Sequence, residues 1–306
     1  MDITLHVGAH RSATTSFQAC LSENLGVLRA EGLDAWGPRL LRKGLFDGLG
    51  GSVVYPRAAA KVHGRVALRL SHAQARGAET LVVSEENMLG SVRANVRARL
   101  LYPDVADKLA RYVAVMDGQV ARIVLVVRAL DHWWASACAY AVARGHSLPN
   151  ARALEAMAAA PRTWRDVVAD IAEVAGGAEV IVVPFERVAG RPGALLRACT
   201  GKDVALAGSD IWRNRAPSVS DLHEELAARK KPAALVEEDG RWRPFTPLQA
   251  ALLREAYVDD IAWLSSGADG LATLAEDISR AQDGRSPHAL ACKEGHQDER
   301  EDGRVA

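Results

Sequence analysis

Four short runs constrain the fold of this chain most: Ile3–Val7, Thr80–Ser84, Arg122–Arg128 and Glu179–Phe185. Ile123 to Val127 is apolar at every position, as are Leu81-Val82-Val83 and Val180-Ile181-Val182-Val183. A strand with one wet face alternates polar and apolar residues, so a run without alternation has to be covered on both faces. A parallel sheet between two layers of helices supplies that cover. The intervening stretches have helical spacing: Thr14–Ala30, Arg57–Arg76, Asp104–Gln119, Asp131–Arg144 and about 163–175. Strands alternating with helices predict an α/β, three-layer fold with a central, mainly parallel sheet and right-handed crossovers.

After Phe185 the pattern turns helical. Ser218–Arg229 carries a capping-box-like Asp221-x-x-Glu224 just after Ser220. Thr246–Leu264 reads as an amphipathic helix with an N-cap Thr and Pro at the first helical position. Its apolar stripe would be Leu248, Leu252, Leu253, Ala256, Tyr257, Ile261 and Leu264. Leu271–Ala281 would form a last helix, and residues 283–306 a polar, disordered tail behind a single domain spanning 1–282. The segment Gly145–Asn150 reads as a mobile surface loop.

Charge narrows the function classes. Lys+Arg and Asp+Glu both number 38, which argues against a general nucleic-acid binder. The balance is local, however: residues 1–150 hold 18 basic and 12 acidic side chains, net +6. A basic half rich in Arg suits an anionic ligand. No apolar run is long enough for a transmembrane helix, and the start of the chain lacks the layout of a secretory signal. The cysteines Cys20, Cys138, Cys199 and Cys292 form no CxxC pair and read as reduced thiols of a cytoplasmic protein. His288, Cys292 and His296 are the one metal-like spacing; they lie in the polar tail, and no metal is expected.

The first run leads into Gly8-Ala9-His10-Arg11-Ser12-Ala13-Thr14-Thr15. A strand, a small-residue loop and a helix start in succession aim backbone N–H groups and the positive end of a helix dipole at one point, which is where anions bind. Arg11 adds a full charge, and Ser12, Thr14 and Thr15 add hydroxyls. The nucleotide-triphosphate loop GxxxxGK[ST] fits only at Gly8 and Thr15, because Ala13-Thr14 replaces Gly-Lys. No strand ends in the Asp that a magnesium-dependent kinase of this type needs.

The segment Leu5 to Gln18 resembles the 5′-phosphosulfate loop of sulfotransferases that use 3′-phosphoadenosine 5′-phosphosulfate (PAPS), most closely bacterial members with HxGxHK[TS]GTT. The family's Lys is Arg11 here, and its Gly is Ala13, a replacement that requires a negative φ. Arg128 at a strand end, with Ser136 eight residues on, resembles the family's 3′-phosphate motif. Val183-Pro184-Phe185-Glu186-Arg187 resembles a further strand end, and Arg213-Asn214-Arg215 with Ser218 and Ser220 the late basic segment that closes over the cofactor. The resemblance implies a P-loop-type fold and PAPS as co-substrate. It also implies binding by Gly8, His10, Arg11, Ser12, Ala13, Thr14, Thr15, Arg128, Ser136 and Arg213 or Arg215.

Sulfuryl transfer needs alignment, donors for the leaving phosphate, and a base for the acceptor proton. Arg11 and the loop amides suit the second task. Glu85, ahead of Glu86, is the expected base, with the alternative that one of them only caps the following helix. His10, within the loop, would contact the sulfate instead, His132 is a third option for the base, and His6 reads as structural. Trp133 and Trp134 read as core or adenine-side packing. The acceptor would be a hydroxyl, on a carbohydrate, a glycolipid or a small metabolite. Gly32–Pro56, with Trp36, Phe46 and Tyr55, could form its lip. Two other readings stay open: a nucleotide-binding protein of this fold without turnover, and a degenerate P-loop kinase.

Overall fold

The computed structural model describes residues 1–51, 53–208, 212–231 and 233–275. The chain begins with β1 (Asp2–Gly8), α1 (Thr14–Glu23), α2 (Leu25–Ala30) and β2 (Leu33–Trp36). Next come α3 (Pro38–Leu40), a π-helical turn over Leu41–Leu45, α4 (Pro56–Ala75) and β3 (Thr80–Ser84). Then follow α5 (Val92–Ala98), α6 (Val105–Ala114), β4 (Val120–Val127), α7 (Leu130–Ala143), α8 (Ala151–Ala158) and α9 (Trp164–Val174). The remainder holds β5 (Glu179–Pro184), α10 (Phe185–Val188), α11 (Pro192–Thr200), α12 (Val219–Ala228), β6 (Glu237–Glu238), β7 (Arg241–Trp242), α13 (Pro247–Ser265) and β8 (Thr273–Leu274).

Six strands form one sheet in the order β2-β3-β1-β4-β5-β8, parallel at every pairing, and β6-β7 is a separate antiparallel hairpin. The apolar runs are buried on both sides, as their lack of alternation requires. Leu5, Val7, Ile123, Leu125 and Val127 join a core with Val66, Leu109, Trp133 and Val168. Val82, Val124, Val126 and Val183 join a second core with Phe17, Leu21, Leu195 and Leu196. Alternate residues of one strand therefore serve opposite helical layers. The central strands β1 and β4 end side by side, one feeding α1 and the other α7, and their ends meet at the site described below.

Several expectations need correction. The Thr14–Ala30 helix breaks at Asn24, whose side chain donates to the Cys20 carbonyl at 2.8 Å and accepts from Ala207 N–H at 2.9 Å. β2 was not expected; its Asp34 is buried against Arg76 at 2.7 Å, and a buried ion pair hides a strand from a hydropathy reading. Trp36 and Phe46 are core side chains, so of the three aromatics of Gly32–Pro56 only Tyr55 is exposed. Three helices, not two, separate β4 from β5, and Asn150 caps the additional one, α8, by accepting from Ala153 N–H. The cap of α12 is Ser218 with Asp221, two residues ahead of Ser220.

In α13, Leu248 and Leu252 face solvent, and the inward face holds Leu253, Asp260, Trp263 and Leu264. Asp260 is inside because it accepts from the Thr163 hydroxyl at 2.7 Å and Trp164 N–H at 2.9 Å, at the start of α9. Thr273–Leu274, expected to be helical, instead pairs with β5. Residues 276–281 of that expected helix, the polar tail 283–306 and the His288, Cys292, His296 spacing lie outside the described residues.

His6 is wholly buried in β1, with Nδ1 at 2.7 Å from the Ser84 hydroxyl and its ring edge-on to Phe17. Burial pushes its pKa down from 6.5 to about 4, against the pull of Glu86. The unfolded chain therefore takes up this proton more readily than the folded one. The stabilisation is complete above about pH 6.5 and is lost as pH falls toward 4, on the order of 3 kcal/mol. In urea titrations, His6→Gln should remove most of this acid sensitivity: the gap in stability between wild type and variant should shrink from pH 7.5 to pH 4.5.

Candidate functional site

The loop between β1 and α1 owes its shape to the groups that take up its backbone. Gly8 has φ +88°, and a Cβ there would stand 3.0 Å from the Glu86 Cβ and 3.2 Å from the Thr14 methyl, so only glycine fits. The His10 N–H donates to the Tyr102 hydroxyl at 2.9 Å, and the Trp133 indole donates to the His10 carbonyl at 2.8 Å. The Arg128 guanidinium donates to the Arg11 carbonyl at 3.0 Å. Asn87 Oδ1 can only accept from His10 Nε2, so in the neutral ring Nδ1 is the acceptor and the Tyr102 hydroxyl donates to it at 3.0 Å. The Nε2–H then donates to Asn87 Oδ1 at 3.2 Å. Burial holds the His10 pKa below its ordinary value, so the ring is uncharged at neutral pH and gains charge only in acid, where Glu86 also titrates.

Arg11 and Ala13 both lie in the left-handed region, with φ +64° and +61°. This overturns the expectation of a negative φ at Ala13 and leaves strain where a glycine would have none. Ser12 is also not placed as expected. Its hydroxyl is buried and donates back to the Ala9 carbonyl, so it holds the loop together from within. No side chain caps the start of α1. Thr14 and Thr15 face the adjoining cavity, and Asn214 Nδ2 lies 3.4 Å from the Thr15 hydroxyl.

That cavity, of about 280 Å³, lies beyond the ends of β1 and β4. Ligands of open α/β sheets bind where neighbouring strands diverge in this way. Arg11 points its Nε at the Ser136 hydroxyl, 3.0 Å away, and its guanidinium lies over Tyr140. Arg128 packs over Phe185 at 4.6 Å. The structure therefore brings Arg11, Arg128 and Ser136 together across 125 residues of sequence.

Arg213, Arg215, Arg241 and Arg243 complete the lining; among the described residues no carboxylate joins them. Arg11 and Arg128 form no ion pair with a described residue, whereas Arg213 is 2.7 Å from Glu23 and Arg243 is 2.8 Å from Glu238. Burial lowers the Arg11 pKa to about 10 and depresses that of Arg128. Both remain cations at neutral pH, and an anion between them would relieve that unmet charge. His132 lines the same cavity, and burial lowers its pKa, so it too is neutral.

Arg241, Trp242, Arg243 and Trp212 escaped sequence reasoning. The hairpin β6-β7 carries the first three, and Arg-Trp-Arg between Gly240 and Pro244 signals a turn without saying what it covers. Trp133 and Trp134 are core, not adenine-side, residues; the unflagged Trp164 joins them and donates to the Arg128 carbonyl at 2.8 Å.

The two carboxylates stand in different surroundings. Glu85 is buried, accepts from Arg42 through both oxygens at 2.8 and 2.9 Å, and caps the short turn Glu86–Met88 through Asn87 N–H at 3.0 Å. Burial pushes its carboxyl pKa up against the pull of Arg42. Glu86 stands over Gly8 and beside His10. It accepts from Gln18 at 2.7 Å and from Arg42 at 2.9 Å. Burial opposes its charge, but His10, Gln18 and Arg42 together hold its pKa below the ordinary range.

The pair should respond asymmetrically. Arg42→Ala leaves a buried carboxylate without its partner and should cost on the order of 3 kcal/mol, whereas Glu85→Gln leaves a half-exposed guanidinium still paired with Glu86 and should cost less than half of that. Chemical denaturation of the two variants checks the order. Ala13→Gly should raise stability by about 1 kcal/mol by removing left-handed strain, and its melting temperature reads this directly.

No family model, no curated protein and no solved structure matches the chain. What the site does is therefore read from its own residues.

Proposed function

We propose that this chain is a sulfotransferase on a P-loop-type fold, moving a sulfuryl group from PAPS to a hydroxyl acceptor. The observation that carries the reading is the meeting of Arg11, Ser136 and Arg128 at one arginine-lined cavity beside the start of α1. A nucleotide with phosphates on both its 5′ and 3′ sides has two separate anionic ends. The loop and the start of α1 suit the 5′ end, through Arg11, the first-turn amides and Thr14 or Thr15. Arg128 and Ser136 suit the 3′ phosphate, with Arg213, Arg215, Arg241 and Arg243 around them.

In this reading the acceptor oxygen attacks sulfur as the bond from sulfur to the phosphate oxygen breaks. Negative charge grows on the leaving phosphate, where Arg11 is the fixed cation. The acceptor proton passes to a base, and Glu86 is the better placed of the two carboxylates because it stands against Gly8. A second reading, a nucleotide-binding protein without turnover, is favoured by one observation: Arg42 holds both Glu85 and Glu86.

Thermal unfolding with added nucleotide tests the proposal. At about 100 times its Kd, adenosine 3′,5′-bisphosphate should stabilise the protein by about 2.7 kcal/mol, a rise of several degrees. AMP should do much less, and Arg128→Ala should abolish the difference. Equal or better stabilisation by ATP with magnesium would overturn the reading in favour of a kinase. Arg11→Ala separates catalyst from binder: in an enzyme it lowers turnover far more than bisphosphate affinity.

A further inference from the structure

A second cavity, of about 410 Å³, opens on the other side of the loop, and the geometry points to it as the seat of an anionic acceptor. This rests on the proposed sulfuryl transfer for its role, though not for its ligand chemistry. Consecutive loop residues part company here: Arg11 lines the first cavity and His10 the second. Tyr140 lines the second cavity and packs against Arg11 of the first: the Arg11 guanidinium is 4.9 Å and the Arg144 guanidinium 4.4 Å from its ring centre. A group seated in the second cavity would thus lie against the same loop that holds the phosphates in the first.

The charge of this cavity sets its ligand class. Arg42, Arg93 and Arg144 line it, with Glu86 as its one carboxylate among the described residues. Glu86 is already taken by Gln18 and Arg42. Arg93 and Arg144 are exposed and form no ion pair with a described residue. They come from different segments, Arg93 in α5 and Arg144 just after α7, so two cations of independent origin border one concave space. His10, Asn87, Ser91 and His146 add hydrogen-bonding groups. Such a cavity suits a polyhydroxylated compound that carries a carboxylate, phosphate or sulfate near the hydroxyl to be modified, and it favours this over a neutral counterpart.

The test is calorimetric binding to the full chain. The probes are a glucuronate-containing tetrasaccharide with its carboxyl-reduced form, and glucose 6-phosphate with glucose. At least one charged probe should bind about tenfold or more tightly than its neutral counterpart. Arg93→Ala combined with Arg144→Ala should erase that preference while leaving adenosine 3′,5′-bisphosphate binding unchanged. Which charged probe wins tells carboxylate from phosphate. The inference is overturned by equal affinity for charged and neutral probes, by no binding of any probe, or by a preference that survives in the double variant. If the charged probes bind and the bisphosphate does not, the proposed function fails and the anionic cavity stands.

Discussion

The loop after β1 carries backbone carbonyls that would be buried and unpaired if nothing reached them, and the site is arranged around meeting that need. Trp133 from α7 takes the His10 carbonyl, and Arg128 from the end of β4 takes the Arg11 carbonyl. An unpaired buried polar group costs about 1–3 kcal/mol, so these contacts hold the loop in one shape. Tyr102 fixes His10 through both its backbone and its ring. Trp133, Trp164 and Tyr102 pack against one another beneath it. The aromatic cluster of the core therefore supports the loop with its indole and hydroxyl groups as well as its apolar area.

With the backbone tied down from below, the loop can hold conformations it would not adopt alone. Arg11 and Ala13 sit at positive φ, and their strain is carried by the surrounding contacts. The same contacts concentrate positive charge. Arg128 spends one N–H on the loop and turns the rest of its guanidinium toward Arg11, Phe185 and the cavity. Two half-buried cations in a cavity whose described lining holds no carboxylate are costly in a folded chain, and an anion bound there would recover part of that cost. The carboxylates stand on the opposite side of Gly8, locked to Arg42, so the loop separates a cationic chamber from a mixed one.

The parts of the fold legible in the sequence are those set by local burial. The run Thr80–Ser84 forms β3 with the same bounds, and Ile123–Val127 lies in the central β4, because no other element buries such a run on both faces. Elements with mixed patterns escaped. β2 hides a buried Asp34, and β8 consists of two residues that have strand geometry only beside β5. The stripe of α13 was misplaced because Asp260 points inward to cap α9, a partner 96 residues away. No periodicity reveals a polar residue whose hydrogen-bond partner lies elsewhere in the chain.

The candidate site divides in the same way. The sequence by itself determined that a strand, a loop and a helix start follow one another at Gly8 to Thr15 and that Arg128 ends a buried strand near Ser136. Both are local properties. Only the tertiary structure decided that Arg11, Ser136 and Arg128 share one cavity, that Arg241 and Arg243 cover it from a distant hairpin, and that Ser12 turns inward. It also decided that Glu85 is a cap and ion-pair partner while Glu86 faces the loop. The reason is physical: adjacent residues of one chain differ in role through what they touch, and contacts between segments a hundred residues apart are set by how helices and sheet pack.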